Sequence, residues 1–160
     1  MGTSSWYVLT GGPSSGKTTL LERLQELGYH TVSEAARVVI DEYRAKGIPV
    51  SELRKDERLF QQHVMQVKLE TEERTPKGGP VFFDRGIPDS IAYYQVCGLD
   101  TQEIEKVSGS RYRRVFFLEQ LPFHYDYART EDESTARRLS QLLLESYENL
   151  GYDIVHVPVL

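Results

Sequence analysis

Gly11-Gly12-Pro13-Ser14-Ser15-Gly16-Lys17-Thr18 satisfies the pattern G-x-x-x-x-G-K-[ST], and its neighbours on both sides decide what it means. Before it stands Trp6-Tyr7-Val8-Leu9-Thr10, a short β-prone run; after it Leu20, Leu24 and Leu27 recur at helical spacing until Gly28. Strand, glycine-rich loop and helix follow in the order that phosphate binding requires. Glycines let the backbone curl so that successive N–H groups point inward, and the helix N-terminus adds partial positive charge where phosphate oxygens sit. Gly11, Gly12, Pro13, Ser14, Ser15, Gly16, Lys17, Thr18 and Thr19 are therefore the expected nucleotide-binding residues. Lys17 is expected to reach the β and γ phosphates of ATP, and the Thr18 hydroxyl is a hard oxygen donor suited to Mg2+.

Outward from this loop, strands and helices alternate. The spacing predicts a strand over 30–33 and a helix over about 34–46, broken at Gly47-Ile48-Pro49. One long amphipathic helix is expected over 51–75, with Ser51 as its N-cap and Leu53, Phe60, Val64 and Val67 on one face. Val81-Phe82-Phe83-Asp84 reads as a strand buried on both faces, followed by a helix over 87–95. A fourth strand is expected over 112–118, a helix opened by the capping box Thr130 and Glu133 and closed at Gly151, and a fifth strand over 153–157. This alternation specifies an α/β fold: a five-stranded parallel sheet with helices on both faces, the three-layer αβα sandwich of a P-loop NTPase of nucleoside- or nucleotide-kinase type. Residues 1–160 are expected to form a single nucleotide-binding domain.

Composition narrows the class. The chain has 160 residues, 39% apolar and 27% charged, enough to bury a sizeable core. Its net charge of -5 offers no general attraction to nucleic acid or an anionic membrane. Cys97 is the single cysteine, so no intrachain disulfide or cysteine zinc cage can form, and a cytoplasmic location is expected. No basic segment followed by a long apolar run precedes Trp6, and no membrane partner is expected. His30, His63, His124 and His156 have no spacing that suggests a metal cage. Monomer and homodimer both stay open.

The loop alone fits ring ATPases, GTPases and kinases. Asp84, at the end of the third strand, is the second acidic group that a P-loop site needs to hold Mg2+ beside Thr18. Ring-forming ATPases usually place a glutamate after this aspartate to polarise water, but here the next residue is Arg85. The guanine-reading Asn-Lys-x-Asp is replaced by Phe117-Leu118-Glu119-Gln120-Leu121-Pro122. Glu34, at the end of the second strand, is expected beside Asp84 at the carboxyl edge of the sheet, where either carboxylate can take the proton of an attacking hydroxyl. Arg85 supplies a planar fork for phosphate oxygens.

Asp84-Arg85-Gly86-Ile87-Pro88-Asp89-Ser90 resembles the acid-arginine motif of thymidylate and deoxynucleoside kinases, which implies that Asp84 and Arg85 manage the phosphoryl acceptor. Together with the phosphate loop, Glu34-Ala35-Ala36-Arg37 and Gly151-Tyr152-Asp153-Ile154-Val155, it is similar to the NadR/Ttd14-like family of small P-loop ATPases and kinases over nearly the whole chain. That resemblance implies Mg-dependent use of ATP and leaves the acceptor unnamed. Kinases of this fold close a mobile, arginine-bearing segment over the transferring group, which implies a lid-like segment at about 121–138 with Arg129 on the phosphates. The family continues past the fifth strand toward the adenine, whereas this chain ends at Leu160. Weak base contacts, contacts from a partner and a shortened chain are the three readings of that end.

The expected catalytic set is thus Lys17, Glu34, Asp84, Arg85 and Arg129, acting on ATP and an unidentified small-molecule acceptor, nucleoside- or nucleotide-like. The alternative is an ATPase or nucleotide-binding regulatory module with slow hydrolysis and no small-molecule acceptor.

Overall fold

The computed structural model describes residues 4–12, 15–53, 55–119 and 133–158. Its strands are β1 (Trp6–Thr10), β2 (His30–Val32), β3 (Val81–Asp84), β4 (Arg114–Leu118) and β5 (Ile154–Val157). They form one sheet in the order β2-β3-β1-β4-β5, and every neighbouring pair is parallel. This is the expected P-loop NTPase αβα fold. The helices are α1 (Lys17–Glu26), α2 (Ala35–Ala45), α3 (Val50–Leu53), α4 (Glu57–Arg74), α5 (Asp89–Cys97), α6 (Gln102–Ser108) and α7 (Glu133–Glu148).

Alternation along β1 explains the layers. Trp6 and Val8 face a core that holds Val81, Phe83, Tyr112, Val115 and Tyr147, the last from α7. Leu9 faces the other side and packs with Leu21 of α1 and Leu118 of β4. Both faces of the central strand are covered, as right-handed crossovers between parallel strands require. A third cluster joins Val39 of α2, Leu53 of α3 and Phe60 and Val64 of α4.

Several strand and helix ends differ from the sequence reading by one to three residues, and three departures are larger or have a clear physical cause. The long helix over 51–75 is two helices: Ser51 lies inside the short α3, and α4 begins anew where the Asp56 carboxylate accepts the Leu59 N–H at 3.0 Å. An internal aspartate cap outcompeted a continuous helix, because it satisfies a backbone donor that the helix start would otherwise leave open. Second, α5 starts at Asp89 rather than 87, with Pro88 at φ -61 in the N-cap position; proline fits the first turn and biases its predecessor away from helix. Third, α6 was not foreseen, since its seven residues, QEIEKVS, carry little periodicity. Thr130, the first member of the expected capping box, lies outside the described residues.

Gly11 ends β1 at φ 147, and a Cβ there would stand 2.6 Å from the Leu118 carbonyl oxygen. Only glycine lets the chain leave the central strand this close to β4.

Candidate active site

Parallel register sets the site at the carboxyl edge of the sheet. Leu9 pairs with Asp84 across β1 and β3, and Val32 pairs with Phe83 across β2 and β3. One or two residues beyond these pairs lie the start of the phosphate loop, Arg85 and Glu34. Gly16 caps α1 at φ 82, and Lys17, the first residue of α1, is 8% exposed. Its Nζ donates to Asp84 Oδ1 at 2.6 Å. Burial pushes the Asp84 carboxyl up, the Lys17 charge opposes it, and the balance lies above the usual aspartate range.

Thr18, Glu34, Arg37 and Asp84 line one cavity of about 160 Å3. The hydroxyl and carboxylate expected to hold Mg2+ therefore share a space, as the donor chemistry of a hard cation requires. Thr19 is exposed and does not line it. Pro13, Ser14 and Arg129 lie outside the described residues, as does residue 120 and the lid-like segment up to 132; Arg137 and Arg138 are exposed on α7.

Arg85 has φ 67, a left-handed conformation that a branched or long side chain rarely takes. Such a residue costs about 1–3 kcal/mol and persists where the surroundings over-determine it. Here they do. Its backbone N–H donates to Leu9 O at 3.0 Å, and Nη1 donates to Asp89 Oδ2 at 3.1 Å. Nε lies 3.4 Å from Glu34 Oε1 without forming a hydrogen bond, and the guanidinium stands over the Tyr93 ring. A glycine would suit this backbone better, so the guanidinium is what the position keeps.

Asp89, which no motif assigned a role, is the hub below Arg85. It is fully buried and accepts hydrogen bonds from Thr10, Arg85, the Gly86 N–H and the Tyr147 hydroxyl. Burial alone would raise its pKa; Arg85, Lys68 and the Thr10 and Tyr147 hydroxyls outweigh that and hold it below the usual aspartate range. Lys68 of α4 joins the same turn, donating to Gly86 O at 3.0 Å and Ser90 Oγ at 2.7 Å. The missed signal was on α4, where Gln61, Lys68 and Glu72 fall on the helical face of Phe60, Val64 and Met65. Polar residues on a buried face are informative because burial without partners is costly.

Burial brings Lys68 from its ordinary 10.5 down to about 8. Between these values the unfolded chain binds more protons than the folded one, so this group makes stability rise with pH across the window. Wild type is expected to gain up to ~3 kcal/mol relative to Lys68→Met as pH rises from about 8 to 10.5, read by urea unfolding at several pH values. A gap that stays flat across that window would contradict an amine whose pKa burial lowers.

Gly86 is held as closely. A Cβ there would meet the Tyr147 hydroxyl at 2.7 Å, Val8 Cγ2 at 2.9 Å and Tyr112 Cζ at 3.0 Å. All three neighbours are buried, so Gly86→Ala is expected to cost about 1–3 kcal/mol in denaturant unfolding. A change under about 0.5 kcal/mol, the range of an ordinary surface substitution, would show that the turn yields freely.

Residues 6–159 match a family model described as an AAA domain, AAA_28. The chain belongs to this AAA domain family. It is a P-loop nucleotide-binding domain, consistent with the NadR-like resemblance seen in its motifs. No curated protein sequence matches it. Among solved structures, the AAA domain resembles NadR in complex with NR, with TM-score 0.66 and 18% identity, and NadR in complex with NAD and AMP-PNP, with TM-score 0.63 and 17% identity. Each match covers 96% of this chain and 44% of the NadR chain, so the AAA domain spans less than half of NadR. It also resembles YorR from Bacillus subtilis in complex with phosphorylated GDP, with TM-score 0.58, 12% identity, and 96% and 85% of the two chains covered. At these identities the likeness is one of fold.

A larger cavity, about 770 Å3, lies at the opposite end of the strands beside Trp6, Glu72 and Arg111. None of the expected site residues of the AAA domain lines it. Among the described residues no helix is long and apolar enough to cross a membrane, and no cluster of three or more His, Cys, Asp or Glu could hold a metal ion by itself.

Proposed function

We propose that this chain is a cytoplasmic ATP-dependent kinase that transfers the γ-phosphoryl group to a hydroxyl of a small, nucleoside- or nucleotide-like molecule. The observation that carries the reading is the position of Glu34. It lines the cavity that holds Thr18 and Asp84 and also a second cavity lined by Arg85 and Tyr93. A carboxylate shared by the cavity of the phosphate-site residues and a separate pocket supports its role as the group that takes the proton of an acceptor hydroxyl.

In this reading the phosphate loop and Lys17 hold the triphosphate, Lys17 exchanging its bond to Asp84 for the β and γ phosphates. Thr18 and Asp84 would hold Mg2+, which neutralises phosphate charge when bound. The acceptor oxygen bonds to the γ phosphorus, the bond from that phosphorus to the β–γ bridging oxygen breaks, ADP leaves, and the hydroxyl proton passes to Glu34 or Asp84. Arg85 and Arg129 stabilise charge on the transferring group. Positioning and electrostatics supply the rate. The absence of a glutamate after Asp84 leaves water without an evident activator, and NadR, which shares this fold over 44% of its chain, has been solved in complex with NR and in complex with NAD and AMP-PNP.

The test is ADP formation with Mg2+ and ATP, with and without a panel of nucleosides, ribosylnicotinamide, nucleotides and simple alcohols. Turnover that depends on one class of acceptor is expected. Tight ATP binding with no acceptor-dependent turnover across the panel would favour the regulatory reading instead.

A further inference from the structure

We propose that the cavity of about 770 Å3 at the amino edge of the sheet is an effector site for a small zwitterion of the amino-acid kind, and that its occupancy is felt at the turn carrying Arg85. The inference needs nucleotide binding alone, so it stands apart from the kinase reading. The volume falls within the roughly 300–1,000 Å3 that encloses a small molecule. Four charged side chains line the cavity, and they balance: Lys77 and Arg111 against Glu72 and Glu73. Arg111 Nη1 already pairs with the buried Glu72 Oε1 at 3.1 Å. Lys77 and Glu73 are exposed, and neither pairs with an opposite charge among the described residues. One free ammonium and one free carboxylate on a neutral wall complement a ligand that carries both charges itself, whereas a simple anion or cation would leave one of them unmet. Trp6 and Leu69 add apolar surface for the body of the ligand.

Hydrogen bonds tie this wall to the opposite edge of the sheet. Glu72 accepts from the Tyr112 hydroxyl, whose oxygen in turn accepts the Ile87 N–H at 2.8 Å. Ile87 lies two residues after Arg85, in the turn that Lys68 and Asp89 also hold. Tyr112 is packed against that turn, with Cζ 3.0 Å from the place of a Cβ on Gly86. Glu72, Tyr112 and Ile87 are all buried, and close packing transmits a displacement rather than absorbing it. A ligand carboxylate that shares the Arg111 guanidinium loosens its hold on Glu72, and the change has two hydrogen bonds to cross before it reaches the turn.

Trp6 is the single tryptophan of the chain and lines the cavity, so its fluorescence reports occupancy. The probes are L-phenylalanine, L-leucine and L-methionine, each compared with its deaminated acid and its decarboxylated amine. At least one amino acid is expected to change the Trp6 emission saturably, and both of its single-charge analogues to bind about 3- to 10-fold more weakly. Lys77→Met should narrow the preference over the amine, and Glu73→Gln the preference over the acid. Both replace exposed residues, so thermal melting should stay close to wild type. The bound amino acid is expected to shift ATP affinity at least about threefold, and ATP to shift amino-acid affinity by the same factor, because linkage is reciprocal. In Tyr112→Phe, which lacks the hydroxyl joining Glu72 to Ile87, that factor should fall toward one while the amino acid still binds. No saturable response to any of the three, equal binding of the single-charge analogues, or an ATP affinity that a bound amino acid leaves unchanged would overturn the inference.

Discussion

Lys17→Ala is expected to lower acceptor-dependent turnover by ~10^2–10^3-fold, the usual consequence of removing one donor aimed at developing charge. Lys17 sits at the first position of α1, directly after a left-handed glycine, so its backbone lies where phosphate oxygens gather. Its side chain is mostly buried and bonded to Asp84, which fixes the ammonium beside the strand end rather than in solvent. Alanine would remove that charge and leave Asp84 without its nearest cation, raising a carboxyl that burial already holds high. Both effects weaken the phosphate and metal halves of the proposed site. Neither touches the clusters that hold the sheet, so the variant should fold, with a melting temperature lowered by the loss of one partner of this largely buried ion pair. Turnover within tenfold of wild type would show that Lys17 does not act on the phosphates.

Asp89→Ala is expected to cost about 3–5 kcal/mol of stability, as removing one partner of a buried ion pair does. Four donors converge on this carboxylate: Thr10 at the end of β1, Arg85 and Gly86 from the turn after β3, and Tyr147 from α7. Alanine would take the acceptor from the Thr10 and Tyr147 hydroxyls, leave the Gly86 N–H with the Tyr147 hydroxyl alone at 3.2 Å, and leave the buried Arg85 charge facing Glu34 at 3.4 Å. For a domain whose total stability is about 5–15 kcal/mol, that loss approaches unfolding. The milder Asp89→Asn preserves shape and retains part of the bonding, so it should fall between wild type and alanine in urea unfolding. A cost below about 1 kcal/mol for Asp89→Ala would contradict the hub.

The phosphate loop, the parallel α/β sandwich and the convergence of Glu34, Asp84 and Arg85 were legible because each rests on a local pattern or on strand ends that parallel register brings to one edge. Asp84 could be read from its place after Val81-Phe82-Phe83, and Glu34 from its place after β2. Asp89 could not. It stands in a quoted motif, yet its partners Thr10 and Tyr147 lie 79 and 58 residues away in sequence, and only the packed sheet unites them. Lys68 and Glu72 were hidden differently. The apolar spacing of α4 drew attention to its Val and Phe positions, and the polar side chains sharing that face were read past. The split between α3 and α4 turned on one carboxylate, Asp56, within an otherwise continuous helical pattern.

The most direct test of phosphoryl transfer to a hydroxyl is the fate of a labelled γ-phosphate. ATP carrying the label is incubated with protein, Mg2+ and a nucleoside that supports ADP formation, and the products are separated. The label should appear in a new phosphate ester of the nucleoside, in step with ADP, and should vanish from that product with Lys17→Ala. Recovery of all label as inorganic phosphate, at one rate with and without every nucleoside tried, would contradict a kinase and leave a slow ATPase.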